Sequence, residues 1–286
     1  MDFDRTLFAM SVPVLEFKDA SIRFGGLTAV APLSFAIPAG QLAAIIGPNG
    51  AGKTTVFNLI TGVYAPTGGE IWVEGERVAS AGRSLKPHQL VRRGVARTFQ
   101  NIRLFGDLSV EDNVRAAFAS RAGYGVGAAL LQNGAAARQE SWIEAETAKL
   151  LEIFGLTPRK NEISRNLPYG DQRRLEIARA TATQPKILLL DEPTSGMNPS
   201  ETEAVTKTIR LVREELGITI LLIEHHMSLV MSICERVIVL DGGVKIADDV
   251  PRAIQNNPHV IAAYLGQSDP ELEEAIAKGE SLAQER

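Results

Sequence analysis

Leu15 and Phe17 alternate with Glu16 and Lys18, a period-two pattern that predicts a half-buried strand. Leu42 to Ile46 is apolar at every position and stops at Gly47, so a buried strand should feed a glycine-rich loop. Ile71 and Val73 alternate ahead of Gly75, which predicts a hairpin in an antiparallel layer. Ile187 to Leu190 and Ile218 to Ile223 are two more apolar runs of the parallel-sheet kind. Between them Val205, Ile209, Val212 and Leu216 recur at helical spacing. Ser200 and Glu203 supply a capping box in front, and Gly217 can end the helix. Strand, helix, strand in that order implies a parallel α/β core with crossovers.

From about Val110 to Arg165 the pattern is mostly helical: Ile143, Leu150 and Phe154 share a face and Gly155 stops it. Within this stretch Ala122 to Ala137 is rich in Gly and Ala and reads as a flexible surface insertion. No internal repeat is visible, so one functional unit is expected.

Composition changes this picture little. With 286 residues, 45% hydrophobic and 22% charged, the chain falls in the ordinary globular class. Its net charge of −4 argues against a general nucleic-acid binder. The single cysteine, Cys234, cannot close an intrachain disulfide, which fits a reducing compartment. No apolar run reaches the roughly 18–20 residues a membrane span needs, and Met1-Asp2-Phe3-Asp4-Arg5 is acidic where a secretory signal would be basic. A cytoplasmic chain is expected, with any membrane role exerted through a partner. The acidic segment 267–286 lacks aromatics and should fray.

The chemistry begins at Gly47-Pro48-Asn49-Gly50-Ala51-Gly52-Lys53-Thr54-Thr55, which fits the phosphate-loop pattern G-x4-G-K-[ST]. Its glycines let backbone N–H groups turn inward around the β- and γ-phosphates, at the positive end of the helix that follows. Lys53 adds a point charge, and the Thr54 hydroxyl suits Mg²⁺, a hard ion that prefers oxygen. Downstream, the strand Ile187 to Leu190 carries Asp191 and Glu192 at its carboxyl end, where open parallel sheets bind ligands. Asp191 would hold Mg²⁺, mostly through water, and Glu192 would orient and deprotonate the attacking water. An acidic pair after a strand is often only a helix cap. Beside a phosphate loop it makes a P-loop NTPase.

Leu167-Pro168-Tyr169-Gly170-Asp171-Gln172-Arg173-Arg174-Leu175-Glu176-Ile177-Ala178-Arg179-Ala180, just before the Asp191 strand, resembles the signature of ABC ATPases, whose usual form is L-S-G-G-Q. Physically, Gly170 and the helix start, with Tyr169, offer N–H donors to an anion. The resemblance implies that this anion is ATP bound on another subunit. Other landmarks match in order. Gln100, in Thr98-Phe99-Gln100-Asn101, resembles the glutamine that reaches Mg²⁺ and water and links to the membrane subunit. Gly196-Met197-Asn198-Pro199 resembles the loop that crosses the dimer interface. His225 matches the switch histidine on spacing, with His226 its neighbouring alternative. Phe24, in Arg23-Phe24-Gly25-Gly26, matches the aromatic that stacks on adenine, although a strand-end aromatic is commonly just core.

Over roughly 12–266 the chain resembles one ABC ATPase domain. The implied α/β fold has a RecA-like parallel sheet core, an antiparallel β subdomain and a helical subdomain inserted at about 101–169. It is most similar to the ATP-binding subunits of branched-chain amino acid importers, of the LivG type. The finer match lies in Arg23-Phe24-Gly25-Gly26-Leu27, the signature stretch, and Asn257-Pro258-His259-Val260-Ile261-Ala262-Ala263-Tyr264-Leu265-Gly266. Urea or amide importers and the lipopolysaccharide export ATPase share much of the pattern. The implied partners are a second, non-identical ATPase held head to tail, transmembrane permease subunits and, indirectly, an external solute-binding protein. The chain itself would sit on the inner face of the membrane.

Two departures stand out. Pro168 replaces the signature serine, and Asp171 the glutamine. Asp171 is expected to cap the helix while bringing negative charge near a phosphate, so the ATP completed by this signature should be the weaker of two. The cluster Arg92, Arg93, Arg97 and Arg103 reads as a solvated face. A soluble mechanochemical protein would need long coiled coils or two cassettes, neither of which appears. Glu192 and His225 together argue against a regulator without turnover.

Overall fold

A computed structural model describes residues 12–119 and 134–265. Its strands are β1 (Leu15–Phe24), β2 (Leu27–Ile37), β3 (Leu42–Ile46), β4 (Gly68–Val73), β5 (Glu76–Ser80), β6 (Arg83–Ser84), β7 (Val95–Arg97), β8 (Ile187–Asp191), β9 (Thr219–Ile223), β10 (Arg236–Asp241) and β11 (Val244–Asp249). Its helices are α1 (Lys53–Ile60), α2 (Pro87–Arg92), α3 (Val110–Ala119), α4 (Gly134–Ile153), α5 (Tyr169–Ala182), α6 (Pro199–Leu216), α7 (Met227–Ile233), α8 (Pro251–Gln255) and α9 (Pro258–Leu265).

Two sheets form. The first has the order β2-β1-β4-β5-β6 and is antiparallel; Leu15 and Phe17 of β1 sit opposite Val73 and Ile71, and the predicted hairpin closes at Gly75. The second has the order β11-β10-β3-β9-β8-β7 and is parallel except for the edge pair β10–β11. β3 is apolar at every position, and β8 and β9 at all but one terminal residue, because both faces are covered. Leu42, Ala44 and Ile46 face one core while Ala43 and Ile45 face the other, and β8, β9 and β10 alternate in the same way.

The crossover from β8 to β9 runs through α6, which buries Val205, Ile209 and Val212 and ends at Gly217 in the left-handed conformation (φ 63°). Its capping box is not Ser200 with Glu203. Asn198 is the N-cap, its side chain accepts from the Glu201 N–H, and Glu201 reaches back to the Asn198 N–H. Pro199 explains the shift: with fixed φ and no N–H it suits the first helical position, so the helix starts two residues earlier.

Between β7 and β8 the described residues are helical or loop. Val114, Phe118, Ile143, Leu150, Phe154 and Leu175 join α3, α4 and α5 in one apolar cluster, and Gly155 (φ 63°) closes the turn after α4. The Gly/Ala-rich stretch Ala122 to Ala137 lies outside the described residues except for its end, which opens α4, and segment 267–286 lies outside them entirely. No helix among the described residues is long and apolar enough to cross a membrane.

Candidate active site

The carboxyl ends of β3, β8 and β9 converge on one cleft of about 340 Å³. Asn49, Gly50, Ala51, Gly52, Lys53, Thr54 and Thr55 form one wall, and Glu192 and His225 the other. Gly47 has φ 149°, and a Cβ there would strike the Leu240 carbonyl oxygen, so only glycine permits this turn. Gly52 (φ 98°) is the N-cap of α1 and offers no side-chain cap. The first-turn N–H groups therefore face the cleft without an internal acceptor from the cap, as an anion site needs. The Lys53 ammonium donates to the Gly47 and Pro48 carbonyls at 2.6 and 2.9 Å. Burial lowers its pKa, against the opposing pull of Glu192 and Asp191. A larger cleft of about 390 Å³ lies at the other ends of β8 and β9, beside Lys186 and Thr219; it has no phosphate loop, so the chemistry points to the smaller one.

Glu192 is held from three sides. Its N–H donates to the Ile223 carbonyl at 2.8 Å while its own backbone is left-handed (φ 47°), a strained geometry for a non-glycine residue. One carboxylate oxygen lies 2.6 Å from His225 Nε2; the other accepts from Gln100 Nε2 at 2.9 Å. His226 points elsewhere, with Nδ1 2.9 Å from the Thr194 hydroxyl, so His225 is the histidine that faces the cleft. Asp191 ends β8 and accepts from Arg97 at 2.7 Å. Arg97 is thus not part of a solvated face: its side chain is 8% exposed and also donates to Asn58 Oδ1 at 2.7 Å. Thr54, which lines the cleft, and Gln100 and Asp191 each carry an oxygen of the kind Mg²⁺ prefers, with one Asp191 oxygen already held by Arg97.

At the signature, Gly170 is buried against Glu201, and the exposed Tyr169 donates from its hydroxyl to the Ser195 carbonyl at 3.3 Å. Pro168 is the N-cap of α5 and gives no side-chain cap. Asp171 does not cap the helix either. It turns inward, between Arg174 and the Arg159 Nε at 3.0 Å, so its charge is met by two guanidinium groups rather than directed at a phosphate. The serine-less signature remains; the electrostatic half of the argument for a weak site falls. Phe24 is half exposed and meets Tyr64 edge-on at 5.1 Å, leaving an aromatic face in solvent.

Residues 30–195 match the ABC transporter family. This chain belongs to it. A second match, over residues 244–270, is to the branched-chain amino acid ATP-binding cassette transporter family. The ABC chain is 44% identical over 259 residues to BraF of Pseudomonas aeruginosa, a high-affinity branched-chain amino acid transport ATP-binding protein, covering 91% of this chain and 100% of that one. LivG of Escherichia coli, with the same description, gives the same figures, and LivG of Salmonella typhimurium is 45% identical. Among solved structures, the ADP conformation of an ATP-binding cassette of an ABC transporter superposes with a TM-score of 0.76 at 26% identity, covering 90% of this chain and all of that one. A nucleotide-free cassette gives 0.74 at 26% identity. As a member of this family the chain binds and hydrolyses ATP.

Four residues around the site escaped sequence reasoning. Arg97 and Tyr64 have partners far along the chain. Arg173 is fully buried and donates to the Phe99 and Gln100 carbonyls at 2.7 and 2.8 Å. Glu224 lies immediately before His225 and is 1% exposed. Arg97 and Arg173 stood in or beside recognised motifs, three positions before Gln100 and within the signature stretch, but nothing in the sequence showed their partners.

Proposed function

We propose that this chain is the ATP-hydrolysing engine of an importer for branched-chain amino acids, working as half of a head-to-tail pair with a second, non-identical ATPase. The observation that carries the reading is the Glu192 carboxylate, bracketed by Gln100 and His225 opposite the phosphate loop. Glu192 acts as the general base, taking a proton from the attacking water. His225 and Gln100 orient that carboxylate and meet the γ-phosphate side of the substrate. Lys53 and the N–H groups of residues 49–55 bind the phosphates, and Phe24 stacks on adenine. Thr54, Gln100 and Asp191 would hold Mg²⁺, which when bound neutralises charge on the transferring phosphoryl group. Tyr169 and Gly170 present the uncapped start of α5 to the nucleotide of the partner.

ATP then acts as a ligand that favours the closed pair over the open one, and hydrolysis removes that preference. The motion passes to transmembrane permease subunits, with the chain on the inner face of the membrane and a solute-binding protein on the far side. The branched-chain assignment is supported by the names of relatives at 44–45% identity. Solute choice itself would rest with the permease and the binding protein. The test is ATP turnover by wild type and Glu192→Gln, alone and co-assembled with the neighbouring ATPase and membrane subunits. Turnover should rise on assembly, and Glu192→Gln should abolish it and trap ATP-bound pairs. A chain that hydrolyses ATP fully by itself, indifferent to partners and to Glu192, would overturn the reading.

A further inference from the structure

The residue after β9 is a carboxylate where apolar packing would be expected. Glu224 is 1% exposed, and among the described residues neither Lys nor Arg pairs with it. Hydrogen-bond donors surround it instead. Oε1 accepts from the Thr194 N–H at 3.1 Å and from the Thr194 hydroxyl. Oε2 accepts from the His225 N–H at 2.8 Å and the His226 N–H at 3.3 Å. Only an ionised carboxylate has enough lone pairs to take all four. Burial alone would raise its pKa, but the hydrogen bonds from His226, Thr194 and the two backbone N–H groups outweigh burial and hold it below the usual range.

The two ends of this node matter. Oε1 is fixed to the loop that leaves Glu192 and runs to the Asn198 cap; Ser195 N–H donates back to the Glu192 carbonyl at 3.2 Å and Met197 N–H to the Thr194 carbonyl at 3.2 Å. The signature tyrosine touches the same loop at Ser195. Oε2 is fixed to the backbone of His225, whose ring holds the Glu192 carboxylate at 2.6 Å. We infer that Glu224 is a positioning residue that ties loop 193–198 to His225, so that closure of the subunit pair on that loop sets the aim of the Glu192 carboxylate. This rests on the proposed role of Glu192 as base. A loop displaced by the partner drags Thr194, Thr194 drags Glu224, and Glu224 turns the backbone that carries the histidine.

The experiment compares Thr194→Val, Thr194→Ser, Glu224→Gln and Glu192→Gln in the transporter purified with its permease and second ATPase subunits. Valine keeps the shape of threonine and removes the hydroxyl bonds to Glu224 and His226; serine keeps the hydroxyl. Thr194→Val and Glu224→Gln should lower kcat on the order of ten- to a hundredfold, the scale of a misaimed catalytic group. KM for ATP, and nucleotide affinity of the isolated chain, should stay within about twofold, and Thr194→Ser should restore most of kcat. Wild-type turnover in Thr194→Val overturns the inference, as does equal loss in the serine and valine variants. If Glu224→Gln fails to fold, the valine and serine pair still decides. Turnover surviving in Glu192→Gln would instead defeat the assignment of the base, which separates the two failures.

Discussion

Replacing Arg97 by methionine tests whether a buried ion pair organises the Asp191 carboxylate. In the wild type the Arg97 and Asp191 side chains are 8% and 7% exposed and 2.7 Å apart, so water can screen neither charge. Methionine retains some contact with the Phe57 and Phe99 rings, over which the guanidinium lies at 5.5 and 5.4 Å, but leaves the buried Asp191 carboxylate without its ion-pair partner. Breaking one side of a buried pair costs about 3–5 kcal/mol, and the Asn58 bond is lost as well. With a urea slope of about 3 kcal/mol per molar, the midpoint should fall by about 1–1.7 M. The assay is urea unfolding of wild type, Arg97→Met, Asp191→Asn and the double variant, followed by circular dichroism at neutral pH. The double variant removes both charges and should be more stable than the sum of the single losses predicts, with a coupling of about 1–3 kcal/mol. An Arg97→Met chain within about 0.5 kcal/mol of wild type, or strict additivity, would refute the reasoning.

Gly47→Ala places a methyl against the Leu240 carbonyl in a conformation closed to alanine; it should abolish nucleotide binding, read with a fluorescent ATP analogue, and cost about 4 kcal/mol or more of stability. Pro168→Ser supplies a hydroxyl to the uncapped start of α5, so the isolated chain should gain about 0.5–2 kcal/mol in unfolding experiments while turnover of the assembled complex changes. Unchanged turnover would remove Pro168 from any account of unequal ATP sites. Burial alone would raise the Asp248 pKa, but Arg236 and Lys245 hold it below the usual carboxylate range. Its contribution is present above the unfolded value and lost as pH falls through the lower folded one, so Asp248→Asn should flatten the stability profile below about pH 4.

The continuous apolar runs were legible because a strand buried on both faces must be apolar throughout, and β3, β8 and β9 fall where those runs lie. The phosphate loop was legible because glycine, lysine and threonine at that spacing follow a strand. What failed was local polarity. Ser200 and Glu203 have the chemistry of a cap, yet Pro199 fixes the start of α6 two residues earlier. Asp171 carries the charge of a cap, yet Arg159 and Arg174, on either side in sequence, draw it inward. Arg97, Arg173 and Glu224 were opaque for a different reason. A buried charge is intelligible only from its partners, and Asp191 for Arg97, the Phe99 and Gln100 carbonyls for Arg173 and Thr194 for Glu224 all lie on other segments, brought near by the sheet order β9-β8-β7. Pattern reasoning finds which face a residue occupies; it does not find what the facing element offers.

The signature helix and the glutamine loop look like separate motifs in the sequence, but Arg173 makes them one body. Its guanidinium, with no exposure, reaches from α5 to the carbonyls of Phe99 and Gln100 and pairs with Glu176 at 2.8 Å. Glu176, whose pKa burial pushes up despite that pair, accepts from the Arg103 N–H at 3.1 Å, so the loop is gripped on both sides of Gln100. Gln100 in turn donates to the Glu192 carboxylate. In the proposed head-to-tail pair, a rotation of the start of α5 would therefore carry with it the Gln100 amide that donates to Glu192. In that pair Arg173 would couple the helix that completes one site to the loop whose Gln100 holds Glu192 of the other.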